Sequence, residues 1–280
     1  VITGEVMPHD VKPEGPFGDH LGYYSLKHDF PVMKVHKVYH KKEAIWPFTV
    51  VGRPPQEDTN FGAMIHELAG ETVKLELPGV KAVHAVDASG VHPLLFAIGS
   101  ERYTPYVKQI QPAEILTQAN HILGFGQMSL AKFLFIAAED DDKNLNIDDE
   151  QAFVQHILER VNWERDLHFY TKTSIDTLDY SGEGLNTGSK VVIAAAGDPI
   201  RTLAQDFDDK ISFPMGISNA KFVAPGILAV SCAAFESYDK AQTEMVDWAN
   251  SLKEYLGEKI DSIPLILMCD DADFVAETYN

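Results

Sequence analysis

Two carboxylates five positions apart, Glu14 and Asp19, lie in the stretch Glu14-Gly15-Pro16-Phe17-Gly18-Asp19. Pro16 fixes one φ angle and steers Gly15 away from an α conformation, while Gly18 has access to angles that other residues avoid. This predicts a shaped loop with both acids directed into the space it surrounds. Phe17 between them lowers the local polarity and so disfavours the ionised carboxyl. A carboxyl tuned upward in this way delivers a proton near neutral pH. The competing account is an ordinary surface turn with solvated acids.

The elements that must position this loop follow from periodicity. Val1–Val6 reads as a strand, Val32–Tyr39 alternates as a second, and Ile45–Val51 reads as its neighbour. Residues 1–52 are therefore expected to be the closing strands of a β-barrel. Arg53-Pro54-Pro55 breaks the pattern. Asp58 is the expected N-cap of a helix with Phe61, Met64, Ile65 and Leu68 at helical spacing. Short apolar strands (Ala82–Val86, Leu94–Ile98, Phe133–Ala138) then alternate with helices after Pro112 and over Phe153–Val161. The fold class is α+β or α/β, with a layered domain around a mixed, largely buried sheet.

The far end hints at a partial repeat. Phe133–Ala138 runs into Glu139–Asp142, and Leu265–Cys269 runs into Asp270, Asp271 and Asp273 after a helix-like stretch Asp239–Leu256. Acids that cap the next helix would explain the same pattern. Asp142, Asn144, Asn146, Asp148 and Glu150 alternate as in a calcium loop. However, Ile147 and Phe153 stand where such a loop needs Gly and Glu, which leaves a solvated, helix-capping loop as the better account. His36 and His40 lack the companion ligands of a zinc site.

Composition bounds the function. The 280 residues are 45% hydrophobic, and the formal net charge is −19. Such an acidic balance argues against a nucleic-acid or anionic-membrane partner. No apolar run approaches the ~20 residues that span a bilayer. Cys232 and Cys269 read as small buried hydrophobes in a reducing compartment, so the cytoplasm is the expected setting. The start at Val1 inside a strand-like run, and the stop at Asn280 one turn into a helix, suggest part of a longer polypeptide.

Glu14–Asp19 followed by Gly22-Tyr23-Tyr24 resembles the signature loop of the UbiD family of decarboxylases. Ala44-Ile45-Trp46-Pro47, Gly52-Arg53-Pro54-Pro55-Gln56-Glu57-Asp58, Ala131–Ile136, Asp140-Asp141-Asp142 and Gly188-Ser189-Lys190 resemble further family segments in the right order. The match fades after Gly197. The resemblance implies three parts. Residues 1–52 end a split-barrel flavin domain, residues 53–197 form an α/β domain, and residues 198–280 are an extension of the α/β kind.

It also implies non-oxidative decarboxylation of an aromatic or α,β-unsaturated acid with prenylated FMN, Mn2+ and K+ in the full-length enzyme. None of these is expected bound to this portion, whose metal ligands and catalytic Arg would lie before Val1; Arg53 is not assigned that role. Carried over, Glu14 is the proton donor and Asp19 its coupled acid. Asp58, Thr59 and Phe61 are candidates for the substrate pocket, as is Phe125. The competing roles are capping for Asp58 and core packing for Phe61 and Phe125. A flavin prenyltransferase would supply the cofactor, and a homo-oligomer is expected. Polyprenylated hydroxybenzoate, a naphthoate on a quinone route and simpler phenolic acids are the substrates considered. The alternative is a non-catalytic scaffold using the stripe Met245–Leu256 for assembly.

Overall fold

A computed structural model describes residues 1–277 apart from 49, 53, 183, 208–212 and 214–215; the side chains of 69 and 71 are also outside the description. Arg53 and the last residues, 278–280, thus lie outside the described residues. In chain order the elements begin β1 (Ile2–Glu14), β2 (His28–Val38), α1 (Glu57–Glu76), β3 (Ala82–Ala85), β4 (Leu94–Gly99), α2 (Glu114–Leu123) and β5 (Phe133–Ala138). They continue α3 (Glu150–Arg160), β6 (Leu167–Ser174), β7 (Thr187–Ala195), β8 (Asn219–Ala224), β9 (Ile227–Ser231), α4 (Tyr238–Leu256), β10 (Leu265–Cys269) and α5 (Ala272–Glu277). The chain forms two compact units that interleave along the sequence. One comprises Val1–Ser100, Glu114–Ile136 and Leu167–Ile193, the other Glu101–Ala113, Ala137–Asp166 and Ala194–Asn280.

In the first unit, β1 and β2 pair antiparallel from Ile2↔Val38 to Glu14↔His28 and form a two-stranded sheet. A ribbon of two strands cannot cover its own faces, so Val6, Met33 and Val35 stay exposed. The expected neighbouring strand Ile45–Val51 does not form among its described residues. Pro47 has no N–H for a ladder, and Ile45, Trp46, Phe48 and Val50 are all exposed.

The five-stranded sheet has the order β3-β4-β5-β7-β6, with β3/β4 and β6/β7 antiparallel. The apolar run of β5 lies inside it, and Leu134 and Ile136 are fully buried. On α2, Ile115, Gln118, Ala119 and Ile122 share the buried face. Gln118 uses both amide atoms on Ser100, accepting from its N–H at 3.1 Å and donating to its carbonyl at 2.8 Å. A Cβ at Gly99 would meet Gln118 Oε1 at 2.2 Å, so a larger residue there would displace the Gln118 amide from Ser100.

The second unit contains the three-stranded sheet β10-β9-β8, in which β9 and β10 are parallel and β8/β9 is a hairpin. This sheet is mixed and lies in residues 219–269, beyond the 53–197 domain for which the sequence predicts a mixed sheet. The parallel pair needs a crossover, which α4 supplies from its Ser237 cap. Leu252 and Leu256 of α4 pack with Leu228, Val230 and Ile263, so the lower half of the expected interface stripe is core. Met245 remains half exposed. Cys232 and Cys269 are partly exposed rather than buried, at the ends of their strands, and both are free thiols. Neither strand end is covered deeply enough to enclose them.

The two strands of the partial repeat do occupy comparable places: β5 follows α2 beside β4, and β10 follows α4 beside β9. The acids after each strand serve backbone N–H groups. Asp140 accepts from Glu101 at 2.9 Å, Asp141 from Gly197 at 2.8 Å and Asp271 from Phe274 at 3.1 Å. In the loop Asp142–Asp148, Asp142 and Asn146 accept from Asn144 and Asp148, and Asp149 caps α3 through Ala152 N at 3.0 Å. These are the turn and cap roles that the sequence favoured over calcium binding.

His156 on α3 is buried, and its Nε2 has no hydrogen-bond partner. Burial first, then the nearby Arg160 charge, lowers its pKa from 6.5 to about 4. The unfolded chain therefore takes up this proton before the folded one. The stability contributed by the neutral ring is complete above about pH 6.5 and is lost as pH falls toward 4. Unfolding free energies from urea titrations at pH 7 and pH 4.5 should differ less for His156→Leu than for the wild type, by on the order of 2 kcal/mol. Equal losses in the two proteins would show that another group governs this window.

Candidate active site

Glu14 is the last residue of β1 and pairs with His28, so the ribbon itself sets its place. The loop 15–27 then folds back on itself. Gly15 has φ +93, and a Cβ there would stand 2.8 Å from the Leu26 carbonyl oxygen. The conformational freedom noted at Gly18 is thus used at Gly15. Ser25 Oγ accepts from Phe17 N at 3.1 Å, Ser25 N donates to Phe17 O at 2.8 Å, and Asp19 N donates to Tyr23 O at 3.0 Å. These bonds close the loop without an apolar core.

Glu14 and Phe17 are both exposed in this chain, and no ion pair to Glu14 occurs among the described residues. The apolar enclosure expected around Glu14 is therefore not supplied by the described residues. Asp19 is more sheltered. Its Oδ1 accepts from His20 N at 2.8 Å and lies 3.4 Å from His20 Nδ1.

A buried glutamine from the family-like segment Gly52–Asp58 anchors this loop. Gln56 accepts from Gly52 N at 3.0 Å and donates through Nε2 to the His20 carbonyl at 3.2 Å. It is also the N-cap of α1, the place expected for Asp58, which instead lies in the first turn. With its own amide engaged elsewhere, Gln56 depends on Thr59 for the cap. Thr59 Oγ1 accepts from Gln56 N at 3.0 Å and donates to Asp87 Oδ2 at 3.0 Å. Thr59 is thereby tied to the loop through Gln56. Phe61 is neither packed in the core nor enclosed, being 49% exposed. Phe125 lies at the far end of α2, its ring edge-on to His121, and no described bond links it to the loop. A Gln immediately before the acidic pair Glu57-Asp58 that opens an apolar helical pattern is the local signal that could have pointed to this cap.

Next to the loop, His20, His92 and Asp176 meet. His92 Nδ1 lies 2.7 Å from Asp176 Oδ2, and the rings of His20 and His92 stand edge to face with centroids 5.6 Å apart. Burial pushes the Asp176 carboxyl up. The His92 hydrogen bond, the Leu178 N–H and the facing imidazoles outweigh it and hold the group below its ordinary value. These residues are distant in sequence, and no motif joins them. In the same region Lys132 pairs with Asp179 at 3.0 Å and contacts Ser181, and the buried Lys190 reaches the Ser129 carbonyl. The lysines of two family-like segments thus hold turns of this unit.

Known proteins share this order of segments. Residues 1–54 match the 3-octaprenyl-4-hydroxybenzoate carboxy-lyase Rift-related domain, and residues 59–195 match the C-terminal domain of the same family. A Chlamydia pneumoniae protein named as a 4-hydroxybenzoate decarboxylase subunit is 42% identical over 207 residues, covering 74% of this chain and 33% of its own length. The vanillic acid decarboxylase of Sedimentibacter hydroxybenzoicus, in its open form, superposes with a TM-score of 0.58 at 17% identity, over 88% of this chain and 46% of that one. The UbiD-class enzyme HmfF from Pelotomaculum thermopropionicum, solved with FMN, gives 0.55 at 20% identity, over 76% of this chain and 44% of that one. At such identities these structures speak for the fold alone. The chain spans about 42% of the length of a Chlamydia trachomatis relative that it matches almost throughout. With both family segments matched in order over more than half of its residues, the chain belongs to the UbiD family.

Proposed function

We propose that the protein carrying this chain is a carboxy-lyase that removes CO2 from an aromatic or α,β-unsaturated acid, with Glu14 as the proton donor and Asp19 as its acidic partner. The observation that carries this reading is the closed loop: the family's acidic pair sits on one hydrogen-bonded hairpin at the end of β1. Bound prenylated FMN would supply the electron sink for the carbanion equivalent left when CO2 departs.

A flavin needs an enclosing apolar face and its phosphate needs converging cationic or N–H donors, whereas the apolar side chains near Glu14 (Phe17, Tyr24 and Leu26) stand exposed and enclose nothing. The cofactor, with Mn2+ and K+, does not fit these residues, and its contacts are assigned to other segments of the longer protein. What this chain contributes is the acid. The Glu14 carboxyl hands its proton to the substrate carbon, and Asp19, oriented by His20 N–H, is the neighbouring group that exchanges protons with it. Enclosure by those other segments would give Glu14 the low-polarity setting that its exposure here lacks.

The same reading divides the chain at residues 52 and 197, makes residues 1–52 the end of a split barrel, and takes the cofactor from a flavin prenyltransferase in the cytoplasm. No helix among the described residues is long and apolar enough to cross a membrane. A hydroxybenzoate of a quinone route is the first substrate to try. Assembly is the second reading, and a specific observation favours it. Phe61, Met64, Ile65 and Leu68 form an exposed apolar face on α1.

Full-length protein co-produced with a flavin prenyltransferase should lose turnover by about 100-fold or more on Glu14→Gln. Unchanged turnover would remove Glu14 as the acid. Gln56→Leu deprives Gly52 N and the His20 carbonyl of their partner. It should lower stability by about 1–3 kcal/mol and reduce kcat with it, as denaturant titration and steady-state rates would show. Light scattering of the full-length Leu68→Glu variant tests assembly: a reduced mass assigns the α1 face to a subunit contact, and an unchanged mass assigns it elsewhere.

A further inference from the structure

His20 from the loop, His92 from the turn before β4 and Asp176 from the segment after β6 bring three metal-binding side chains together. A ring nitrogen of each histidine and a carboxylate oxygen of Asp176 all lie within 4.8 Å of one another. We propose that this cluster binds a divalent transition-metal ion of the zinc class, which staples the loop of Glu14 and Asp19 to the α/β part of the same unit. The inference does not rest on the decarboxylase reading.

The donor set is the first argument. Two imidazoles and one carboxylate suit zinc and its neighbours in the first transition row, and leave a position open for water. The unpartnered nitrogen is the second. The His20 side chain is nine-tenths buried, its Nδ1 faces Asp19, and its Nε2 has no hydrogen-bond partner. A buried polar atom left in this way is destabilising, and a bound cation removes that cost. A structural His92–Asp176 pair alone would leave this nitrogen unexplained.

The groups around the cluster already support it. Asp19 beside His20 Nδ1 favours the tautomer that turns the Nε2 lone pair toward the cluster, the carboxylate–histidine–metal pattern. Asp176 uses Oδ1 on Leu178 N at 2.9 Å, so Oδ2 is the atom that faces the histidines. Gly90, at φ +89, brings the turn so close that a Cβ would stand 3.1 Å from the His20 carbonyl oxygen. A side chain at this position would be strained by the positive φ and would press on the His20 carbonyl.

Zinc ligands at their usual bond lengths stand roughly 3.3 Å apart in a tetrahedron. His92 and Asp176, now 2.7 Å apart, would separate by about half an ångström as the ion replaces the proton they share. That proton leaves to solvent, which reaches the partly exposed side of His92.

The test is metal binding by the full-length protein, stripped with a chelator and then titrated with Zn2+ by calorimetry. His92→Ala and Asp176→Asn should each lose one zinc equivalent per chain, or weaken it by about 100-fold, while circular dichroism shows them folded. Glu14→Gln should keep every equivalent, which separates this inference from the fate of the proton-donor assignment. Wild-type thermal melting should rise with Zn2+ and that of the variants should not. Should the variants fail to fold, the Co2+-loaded wild type decides: paramagnetically shifted imidazole resonances from two histidines are expected, and their absence would overturn the site. Equal stoichiometry and affinity in folded variants would overturn it equally.

Discussion

The loop that bears Glu14 and Asp19 has almost no apolar burial of its own, so hydrogen bonds must hold it. Gln56 is the amide on which this depends. It is 4% exposed and spends its oxygen on Gly52 and its nitrogen on the His20 carbonyl. Through Thr59 the same set of bonds reaches Asp87. The loop, Gly52 and the start of α1 are therefore joined by one set of bonds, and loosening any member leaves a buried polar group unpaired.

This arrangement separates rigidity from coverage. The five-stranded sheet and α2 supply a dry core around Leu134, Ile136, Ile115 and Ile122, which gives the polar clamp something firm to hang from. The ribbon β1–β2, the segment 45–51 and one face of α1 are left with large apolar side chains in solvent. An apolar surface of that extent is a place where something else packs. It fits a chain that covers less than half the length of its relatives.

Buried ionisable groups in the two units follow one rule with different outcomes. Asp141 accepts a single backbone N–H, from Gly197, beside its long pair with Lys108, and burial prevails and raises its pKa. Asp176 and Asp179 each combine a backbone N–H with a side-chain donor, and their carboxyls are held below the ordinary value despite burial. The count and quality of donors, rather than depth, decides the sign.

Much of this was legible in the sequence, where the signal is local. Helical spacing in α1, α2 and α4, the apolar runs of β4, β5 and β10, and the acids that end those last two strands all depend on near neighbours. The Glu14–Asp19 spacing was likewise visible, as was the order of the family segments. Tertiary structure alone decided what those patterns face. Ile45–Val51 has the composition of a strand but no ladder to join, and Phe61 has helical spacing but no core beside it. Gln56 has the look of a linker residue, and His20, His92 and Asp176 share no motif. Period and capping are properties of a few consecutive residues, whereas burial, partner choice and the meeting of three distant side chains arise only when the whole chain has closed around them.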